Sequence, residues 1–594
     1  MNNGMVEAFQ EGIAELQLAQ VNQQRRSTLL GWTRFIVFLA SLFFLYRALY
    51  LQEALYFLWS CTAFAGYSFL FSLHQKIKYE IALLLAKASI WQEEIDRLQF
   101  KFDSDRSGEE FINEQHAFSY DLDLFGNGSL FQQINRLEIP GAAKRLAETL
   151  TSPMPYKEAL DRQKTIRSLS SQVKWRVDWQ ATLHVNRPKK KVDFSDIDFP
   201  KQINPLVTWA SITLTLCTVL LCIGSVVLNY SFSIILGILP VNIVLLYYNH
   251  RSLLRSDQKI SRLSTQVKQY MEGFMLIKSM HDDTKELKSI KKLIVSETAP
   301  AWKNLAQIIY YLDSRDNFMY WILNPFFFLD TWLVLWLYKW GKRYGNDWKS
   351  WISEIEWMDC IVSLAGYSNL HGDHVYPILL QEKGVFNAVN LAHPIINPAV
   401  RVSNSFQFGT ENVILLTGSN MSGKSTFLRT VAINHIMAWV GLPVAATKLK
   451  TGQAEVFTSM RTTDDLNENT SSFYAELKRI KQLLTKIQDN RETVFFYFLD
   501  EILKGTNSHD RHKGAMGLIK QLLTTNAKGF VSTHDLDLAY HYKDESMLKN
   551  YSFNSKLVDG QLLFDYQLTD TICHSTNASD LMSQMGIIRV ADKE

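Results

Sequence analysis

The 594-residue chain lacks both a strong excess of charge of one sign and a regular cysteine pattern. Its formal net charge of only +3 excludes a histone-like polyanion binder, although a local basic face remains possible. Its five cysteines show no Cys-x-x-Cys spacing, so we expect buried free thiols rather than disulfides or a metal site. The polar N-terminal stretch with Arg25 and Arg26 predicts no cleavable signal peptide. A chain of this length is expected to form at least two units.

Charge is also missing from long apolar stretches near the N-terminus. Ala54 to Leu73 contains no charged residue, and Leu29 to Tyr50 contains only two arginines, near its ends. A helix of about 20 apolar residues crosses the roughly 30 Å hydrocarbon layer of a membrane. Because Gln52-Glu53 provides a turn between the two stretches, residues 29–75 are predicted to form a transmembrane hairpin.

A second pair of uncharged stretches lies in the middle of the chain. Leu206 to Leu228 and Ser231 to Tyr248 contain no charged residue, and basic residues flank both pairs. Under the positive-inside rule, these flanks place the N-terminus and all large segments in the cytoplasm. The sequence therefore predicts a multi-pass protein of the inner or plasma membrane. The alternative is that all four stretches are core helices of a soluble protein.

Secondary structure is predicted to change along the chain. Residues 140–178 show helical spacing of apolar residues, broken at Pro153 and Pro155, and residues 251–293 suggest one extended helix. From about Val413 onward, short apolar runs alternate with helices, as in a buried parallel sheet. The three predicted strands cover residues 413–417, 493–499 and 529–532.

The first of these strands leads into a phosphate-binding motif. The following segment matches the P-loop pattern G-x-x-x-x-G-K-[ST], with a strand before it and a helix after it. Glycines let the backbone wrap a phosphate, and the helix start directs N–H groups at it. Lys424 is expected to pair with the β- and γ-phosphates, and the Ser425 hydroxyl to bind Mg²⁺. The predicted ATP-binding residues are Gly418, Ser419, Asn420, Met421, Ser422, Gly423, Lys424, Ser425 and Thr426.

Two further strand ends carry residues suited to ATP hydrolysis. Asp500 and Glu501 end the second strand, where an acidic pair is costly unless it faces a metal or a polar ligand. Asp500 fits a Mg²⁺-side carboxylate, and Glu501 fits the group that polarises the attacking water. His534 follows the third strand, where it can contact the γ-phosphate. Together with Lys424, Glu501 and His534 are the predicted catalytic residues.

At this point the residues resemble the MutS family. Thr417 to Arg429 is similar to the MutS P-loop, including the Asn-Met pair that most P-loops lack. Leu499 to Thr506 resembles the family's acidic strand end with its trailing Gly-Thr, and Ser532 to Asp535 resembles its switch histidine. The segment from Phe457 to Phe473 is similar to the approach to the family's signature loop, and Asp121 to Gly126 resembles, more weakly, the start of its helical core.

This resemblance implies partners and a mechanism. In the family, two ATPase domains face each other and a signature-loop serine acts on the other subunit's nucleotide. Carried over, Ser471 or Ser472 acts in trans in a homodimer that binds ATP and Mg²⁺. The resemblance also suggests DNA, mismatched or structured, as a partner.

The chain also departs from the family. A membrane hairpin stands where the mismatch-recognition domain is expected. Of the family's two side chains that stack on adenine, the aromatic residue falls near Arg401 and the histidine near Asp565. The base selectivity of the site is therefore open.

The fifth apolar stretch, Tyr320 to Trp340, is predicted to be a buried helix. It contains Asn324, Pro325 and Asp330, and one extra span would separate the ATPase from cytosolic ATP. The fold class is then α/β, with an ABC-type P-loop ATPase domain joined to an all-α core and lever and two transmembrane hairpins. The predicted domains are a cytoplasmic segment 1–28, hairpin 29–75, helical linker 76–117, first core part 118–204, hairpin 205–249, core and lever 250–392, and ATPase domain 393–594.

Two other functions remain open on the sequence. An ABC-type transporter ATPase shares the P-loop, the acidic pair and the switch histidine. Its Leu-Ser-Gly-Gly-Gln signature does not occur in this sequence. A nucleotide-gated membrane scaffold that does not bind DNA is the other alternative, and the intact Asp500-Glu501 pair argues against it.

Overall fold

The structure is a computed structural model that describes residues 2–51, 53–102, 106–188, 199, 203–227, 237, 239–246, 264–280, 284–316, 318–461, 472–558 and 561–573. Over these residues the chain is a mixed α/β protein with two sheets. It divides into two compact units. The first comprises Met1–Leu98, Leu137–Ala142 and Gln172–Cys360, and the second comprises Gln99–Arg136, Ala143–Ser171 and Ile361–Glu594.

The described residues form the following helices, in chain order. They are α1 (Asn2–Leu51), α2 (Ala54–Leu98), α3 (Leu130–Ile134), α4 (Ala142–Thr151), α5 (Tyr156–Ser170), α6 (Val173–Val185), α7 (Pro205–Val227), α8 (Ser264–Ser279), α9 (Lys285–Lys292), α10 (Ala299–Asp313), α11 (Phe318–Phe327), α12 (Leu329–Tyr344), α13 (Trp348–Leu370), α14 (Lys424–Val440), α15 (Ser472–Asp489), α16 (Ser508–Leu523) and α17 (Leu536–His541). The first unit is helical over its described residues.

Helices α1 and α2 pack side by side and meet at the predicted turn. Both are long and apolar enough to cross a membrane, and only 6% of either apolar window is buried. Where they meet, the Ser60 hydroxyl donates to the Ser41 carbonyl over 3.0 Å. Both helices run past the limits of the predicted hairpin, 29–75. Their exposed large side chains include Trp32, Phe35, Phe43, Leu49, Trp59 and Phe69.

The second predicted hairpin, 205–249, is described only in part. Helix α7 covers its first stretch, and residues 239–246 are helical. Most of the remaining second stretch lies outside the described residues, so the hairpin stays a prediction. The extended helix expected at 251–293 is wrong over its described part, because α8 ends at Ser279 and α9 starts at Lys285. The helices predicted within 140–178, with breaks at Pro153 and Pro155, are confirmed as α4, α5 and the start of α6.

The apolar stretch Tyr320–Trp340 forms two helices instead of the predicted single one. Phe328 separates α11 from α12 and adopts a left-handed backbone with φ +50°. Asp330 stabilises the break, since its backbone N–H donates to the Asn324 side chain over 3.0 Å. Its carboxylate accepts from Tyr320 and pairs with Arg315. These polar contacts explain why the helix stops inside an apolar stretch.

The second unit contains both sheets. The strands are β1 (Ile378–Leu380), β2 (Phe386–Leu391), β3 (Asn404–Gln407), β4 (Val413–Gly418), β5 (Lys448–Gly452), β6 (Glu455–Ser459), β7 (Phe495–Leu499), β8 (Lys528–Thr533), β9 (Leu548–Val558) and β10 (Gln561–Thr569). The small sheet has the order β1-β5-β2-β3, and the large one β10-β9-β4-β8-β7-β6. The three predicted strands are confirmed as β4, β7 and β8, which pair in parallel.

The core of the second unit explains why these runs are strands. Every residue of β4 and β7 is buried, which fits the continuous apolar runs of parallel strands covered on both faces. Aromatic rings fill the space between the two sheets, with Phe406 and Phe530 centroids 4.9 Å apart. This packing fixes the central strands from which the candidate site projects.

Candidate nucleotide-binding site

The predicted site residues lie at the carboxyl ends of three adjacent strands. Strand β8 lies between β4 and β7 in the large sheet, and all three run in the same direction. The loop at 418–423 leaves β4, the Asp500-Glu501 pair leaves β7, and His534 leaves β8. Because parallel strands end at one edge, motifs far apart in sequence meet there.

The loop after β4 has the backbone of a tight anion-binding turn. Gly418 has φ +149°, and a Cβ there would lie 2.7 Å from the Phe553 carbonyl oxygen. Gly423 has φ +107° and precedes the first residue of the 17-residue helix α14. The N–H groups at the start of a helix are free to bind an anion. The buried Ser422 hydroxyl has no hydrogen-bond partner among the described residues, which fits a loop that binds phosphate.

Lys424 is buried inside this loop. Its ammonium donates to the carbonyls of Gly418, over 2.8 Å, and Ser419, over 2.9 Å. Burial lowers the pKa of Lys424, and the nearby carboxylates of Glu501 and Asp500 oppose that shift. The ammonium therefore lies in the loop that would wrap a phosphate, within the field of both acidic residues.

The remaining predicted residues of the loop differ in exposure. Ser419 and Ser425 are half-buried, whereas Asn420 and Thr426 are exposed. Met421 is 84% exposed and has a left-handed backbone, φ +65°. The Asn-Met pair therefore stands at the outer rim of the loop, where it is free to contact a ligand.

The acidic pair is organised by Ser532. The Ser532 hydroxyl donates to the Asp500 carboxylate and accepts from the Glu501 backbone N–H over 2.9 Å. Glu501 itself has a left-handed backbone, φ +51°, of the kind that is often found at functional sites. A hydroxyl from β8 therefore fixes the two residues that end β7.

The Glu501 carboxylate has two neighbours that can donate hydrogen bonds to it. It pairs with Lys504, and His534 Nε2 lies 3.0 Å from its Oε1. Partial burial raises the pKa of Glu501, but hydrogen bonds from Lys504 and His534 outweigh this, so the net shift is downward. The predicted base and the predicted switch histidine are thus in direct contact.

A cavity of about 380 Å³ adjoins the loop. Its walls include Gly423 and Tyr566, and a Cβ added to Gly423 would lie 3.1 Å from the Tyr566 ring. Asn404 fixes Tyr566 by donating to its carbonyl over 3.0 Å and accepting from the Leu568 N–H over 2.7 Å. Arg401 also lines the cavity, whereas Asp565 does not. Tyr566, which follows Asp565 in the chain, is one of the aromatic residues that line this cavity, together with Phe427 and Phe553.

The sequence analysis missed four residues that complete this edge of the sheet. Ser532, Lys504 and Tyr566 contact the site as described above. Glu476 in α15 accepts a hydrogen bond from the Leu503 N–H, and burial raises the pKa of its carboxyl. Ser532 could have been found from the sequence, because it ends the predicted strand 529–532 and lies two residues before His534. No pattern pointed to Glu476 or Tyr566.

The predicted trans serines are not placed at the site. Ser471 lies outside the described residues, and Ser472 is the first residue of α15, without a described side chain. The chain up to Arg461, the last described residue before these serines, is held by Asp121, whose carboxylate accepts from the backbone N–H groups of Met460 and Arg461. Their role in trans therefore stays a prediction.

Known proteins share this part of the chain. Residues 414–586 match the family described as MutS domain V. The C-terminal part of this chain is therefore similar to MutS domain V. It is 31% identical over 221 residues to the DNA mismatch repair protein MutS of Staphylococcus epidermidis, covering 36% of this chain and 24% of that protein. The MutS of Staphylococcus haemolyticus is 30% identical over 220 residues, with 36% and 24% covered.

The likeness to MutS is confined to part of each protein. The MutS of Staphylococcus saprophyticus is 29% identical over 237 residues, which is 39% of this chain and 26% of that protein. The chain thus matches about a quarter of the length of these relatives. Within the described residues, no mismatch-recognition domain of the MutS kind is present.

Proposed function

We propose that this chain is a membrane-anchored MutS-like ATPase that binds ATP with Mg²⁺ and hydrolyses it in a dimer. One observation carries the proposal. The loop with Lys424, the acidic pair and His534 come together at one edge of a parallel sheet, in a part of the chain that matches MutS domain V.

In this proposal, different residues of the chain bind the phosphates, neutralise their charge, orient the attacking water and hold Mg²⁺. The loop from Gly418 to Thr426 holds the phosphates, Lys424 neutralises their charge, and Glu501 orients the attacking water. Ser425 and Asp500 would hold Mg²⁺, which supplies charge neutralisation at the transferred phosphate. Asp500 is already fixed for this by Ser532, and the oxygen ligands suit a hard cation.

His534 gives the site a way to respond to nucleotide. In the described state, its Nε2 and the Lys504 ammonium both bind the Glu501 carboxylate. A carboxylate that accepts two hydrogen bonds is less able to accept a proton. We infer that ATP binding draws His534 or Lys504 toward the γ-phosphate and frees Glu501 for hydrolysis.

The catalytic assignment is tested with a Glu501→Gln variant of the full chain in detergent. ATP hydrolysis is expected to fall at least about a hundredfold, while ATP binding is retained. Glu492→Gln is the matched control, because Glu492 is exposed and precedes the opposite end of the same strand. Equal activity in Glu501→Gln and Glu492→Gln would undo the assignment.

The action of the serines on the partner chain's site is tested by mixing two inactive variants. Lys424→Ala removes the phosphate contact, and a Ser471→Ala, Ser472→Ala double variant removes the signature serines. If the serines act in trans, a mixed dimer regains one intact site and activity returns on mixing. Absence of recovery, with mixed dimers shown by cross-linking, would argue that each chain carries a complete site.

The membrane part of the proposal depends on the exposed apolar faces of α1 and α2. Large side chains that face outward over both helices are costly in water and favourable in lipid. We therefore propose the multi-pass arrangement, with the second hairpin completing it and the ATPase domain on the cytoplasmic side. Membranes washed with alkaline carbonate should retain the full chain. Its release by this wash, without detergent, would contradict the anchor.

DNA is a proposed partner by family resemblance alone. The relatives are named DNA mismatch repair proteins, yet the mismatch-recognition domain is not among the described residues. ATPase activity measured with homoduplex, mismatched and branched DNA tests this part separately. Stimulation by one DNA form supports a DNA-directed role. No binding and no stimulation would leave the ATPase proposal intact and favour a membrane function without DNA.

A further inference from the structure

A second group of ligand-type side chains lies in the turn after helix α13. His371, Asp373 and His374 bring their ring nitrogens and carboxylate oxygen within 4.8 Å of one another. None of them takes part in the phosphate chemistry described above. His371 is half-buried, Asp373 is exposed, and His374 is only 8% exposed.

The backbone holds this group in a short, anchored turn. The His371 N–H donates to the Tyr367 carbonyl at the end of the helix, and the His374 N–H donates to the His371 carbonyl over 3.0 Å. The next residue, Val375, exchanges two backbone hydrogen bonds with Val444. The two imidazole rings are stacked, with centroids 4.8 Å apart and planes 17° apart. Both ends of the turn are therefore fixed.

His374 is the observation that points to a ligand. Both of its ring nitrogens are buried, and neither has a hydrogen-bond partner. A neutral imidazole carries one donor and one acceptor, and each buried group left unpaired costs about 1–3 kcal/mol. Stacking on His371 explains why the ring is buried but leaves its nitrogens unsatisfied. A bound cation would use one of these nitrogens as a ligand.

We propose that His371, Asp373 and His374 form a binding site for a divalent transition-metal ion, with zinc as the best fit. Imidazole nitrogen suits zinc and its neighbours in the transition series, whereas Mg²⁺ prefers oxygen ligands alone. Two imidazoles and one carboxylate supply three ligands, which leaves a fourth position for water or another group.

The geometry requires a small closure around the ion. Zinc bonds of about 2.0–2.2 Å place tetrahedral ligand atoms roughly 3.3–3.6 Å apart. The largest distance between two ligand atoms, 4.8 Å at present, must therefore shorten by about 1.2–1.5 Å. Asp373 can provide this by rotating its side chain, since it is exposed and held only by Arg401, over 2.7 Å, among the described contacts.

Arg401 links the proposed metal site to the cavity of about 380 Å³ that adjoins the phosphate-binding loop. Its guanidinium pairs with Asp373, and its side chain also lines the cavity beside Gly423. A metal that takes the Asp373 carboxylate releases Arg401 to that cavity. This consequence rests on the proposed ATPase function, whereas metal binding itself does not. Zinc is therefore expected to change the affinity of the chain for ATP.

The test uses chelator-treated full chain in detergent, without nucleotide and with excess Mg²⁺ to occupy the oxygen-rich site at Asp500. Equilibrium dialysis against Zn²⁺ measures stoichiometry, and Co²⁺ gives visible absorption bands that report imidazole ligation. We expect a single tightly held Zn²⁺ per chain. His371→Ala and Asp373→Asn are expected to lose it, and His541→Ala, which removes an exposed histidine elsewhere, to keep it.

His371→Ala and Asp373→Asn are the decisive variants, because neither residue is buried as deeply as His374. Circular dichroism confirms that they are folded. If wild type binds no Zn²⁺ tightly, or if both variants retain it as well as His541→Ala does, the site is overturned. If zinc binds through these residues but leaves ATP affinity unchanged, only the Arg401 link fails. Loss of ATP hydrolysis in Glu501→Gln has no effect on the zinc measurement, so the two proposals fail independently.

Discussion

The α1/α2 pair and the large sheet of the second unit are both rich in apolar side chains, but they place them differently. Strands β4 and β7 bury every residue, whereas only 6% of the apolar windows of α1 and α2 is buried. The sheet satisfies its own apolar surface inside the protein. The helix pair leaves its apolar surface exposed, as the proposed membrane anchor requires.

Polar groups follow the same division. In the large sheet, polar side chains collect at the carboxyl edge, where Ser532, Asp500 and Glu501 bind one another. Along the apolar windows of α1 and α2, hydroxyls such as Ser60 bind backbone carbonyls, which satisfies them without water. The comparison shows that apolar composition alone does not decide where a segment resides. The arrangement of its polar groups decides as well.

The largest expected effect comes from placing a charge in each region. Leu415 is fully buried in β4, so Leu415→Arg should destabilise the second unit by more than about 4 kcal/mol. Phe43 is 58% exposed on α1, so Phe43→Arg should leave folding in detergent nearly unchanged. It should instead weaken membrane insertion by about 2.5–3.5 kcal/mol. Thermal unfolding in detergent and membrane fractionation measure the two effects.

Leu415→Met controls for the loss of the native side chain, because it conserves volume and polarity. If Phe43→Arg unfolds the detergent-solubilised chain as strongly as Leu415→Arg, then α1 is packed against protein rather than lipid. That result would break the comparison and support the alternative that the apolar helices belong to a soluble core.

Acid is expected to act on the second unit through His435. This histidine is buried in α14, where its nitrogens lie 2.9 Å from the Thr451 hydroxyl and 3.1 Å from the Ala454 carbonyl. Burial lowers the pKa of His435 from 6.5 to about 4. Between pH 6.5 and about 4, His435 therefore binds a proton in the unfolded chain but not in the folded chain. The stabilisation from His435 is present above pH 6.5 and is lost as pH falls toward about 4.

A shift of this size corresponds to about 3 kcal/mol at most. His435→Gln keeps hydrogen-bonding capacity but does not titrate, so its unfolding free energy should vary less between pH 6.5 and 4. Denaturant unfolding, followed by hydrogen exchange in α14, measures this. An unchanged pH dependence in His435→Gln would mean that other groups control the acid response. His541→Gln, at an exposed position, is the matched control.

The strands and the phosphate loop were predictable because each is local. Continuous apolar runs identified β4, β7 and β8, and the glycine and lysine spacing identified the loop between β4 and α14. Lys424, Glu501 and His534 could also be named, since the ends of parallel strands meet at one edge. A hydrogen bond joins Glu501 to His534, and Glu501 lies close enough to Lys424 to act on its pKa. The catalytic roles of the three residues stay predictions.

Other features depend on contacts that sequence spacing does not reveal. The break at Phe328 requires Asp330 to bind Asn324 and Tyr320 together, and nothing in the apolar pattern shows this. Tyr566 lies beside Gly423 in an irregular stretch of β10, where the pairing register with β9 shifts between Phe564 and Leu568.

Removing Tyr566 should produce a moderate effect that is confined to the nucleotide. Stacking of a base on an aromatic ring contributes about 1–3 kcal/mol, so Tyr566→Ala should weaken ATP binding about tenfold or more. Tyr566→Phe keeps the ring and should bind nearly as wild type. Equilibrium binding of ATP and GTP measures both affinity and base selectivity. Tyr540→Ala, an exposed tyrosine on α17, is the control. Equal affinity in Tyr566→Ala and Tyr540→Ala would remove Tyr566 from the base site.

The smallest expected effect comes from removing one ion-paired aspartate from each region. Asp123 pairs with Arg429 of α14 and with Arg461, both over 2.7 Å, and Asp178 of α6 pairs with Lys87 of α2 over 2.5 Å. All of these side chains are partly exposed, so Asp123→Asn and Asp178→Asn should each cost only about 1 kcal/mol, and less at high salt.

Function should separate the two variants where stability does not. Asp123 ties the helix that begins at Lys424 to Arg461, the last described residue before the predicted signature loop, whereas Asp178 contacts neither. Asp123→Asn is therefore expected to lower the ATPase rate several-fold, and Asp178→Asn to leave it unchanged. Steady-state hydrolysis at low and high salt measures this. Equal rates in both variants would mean that Asp123 only fastens the surface of the second unit. A lower rate in Asp123→Asn alone would show that the contacts of Asp123 with Arg429 and Arg461 affect ATP hydrolysis as well as stability.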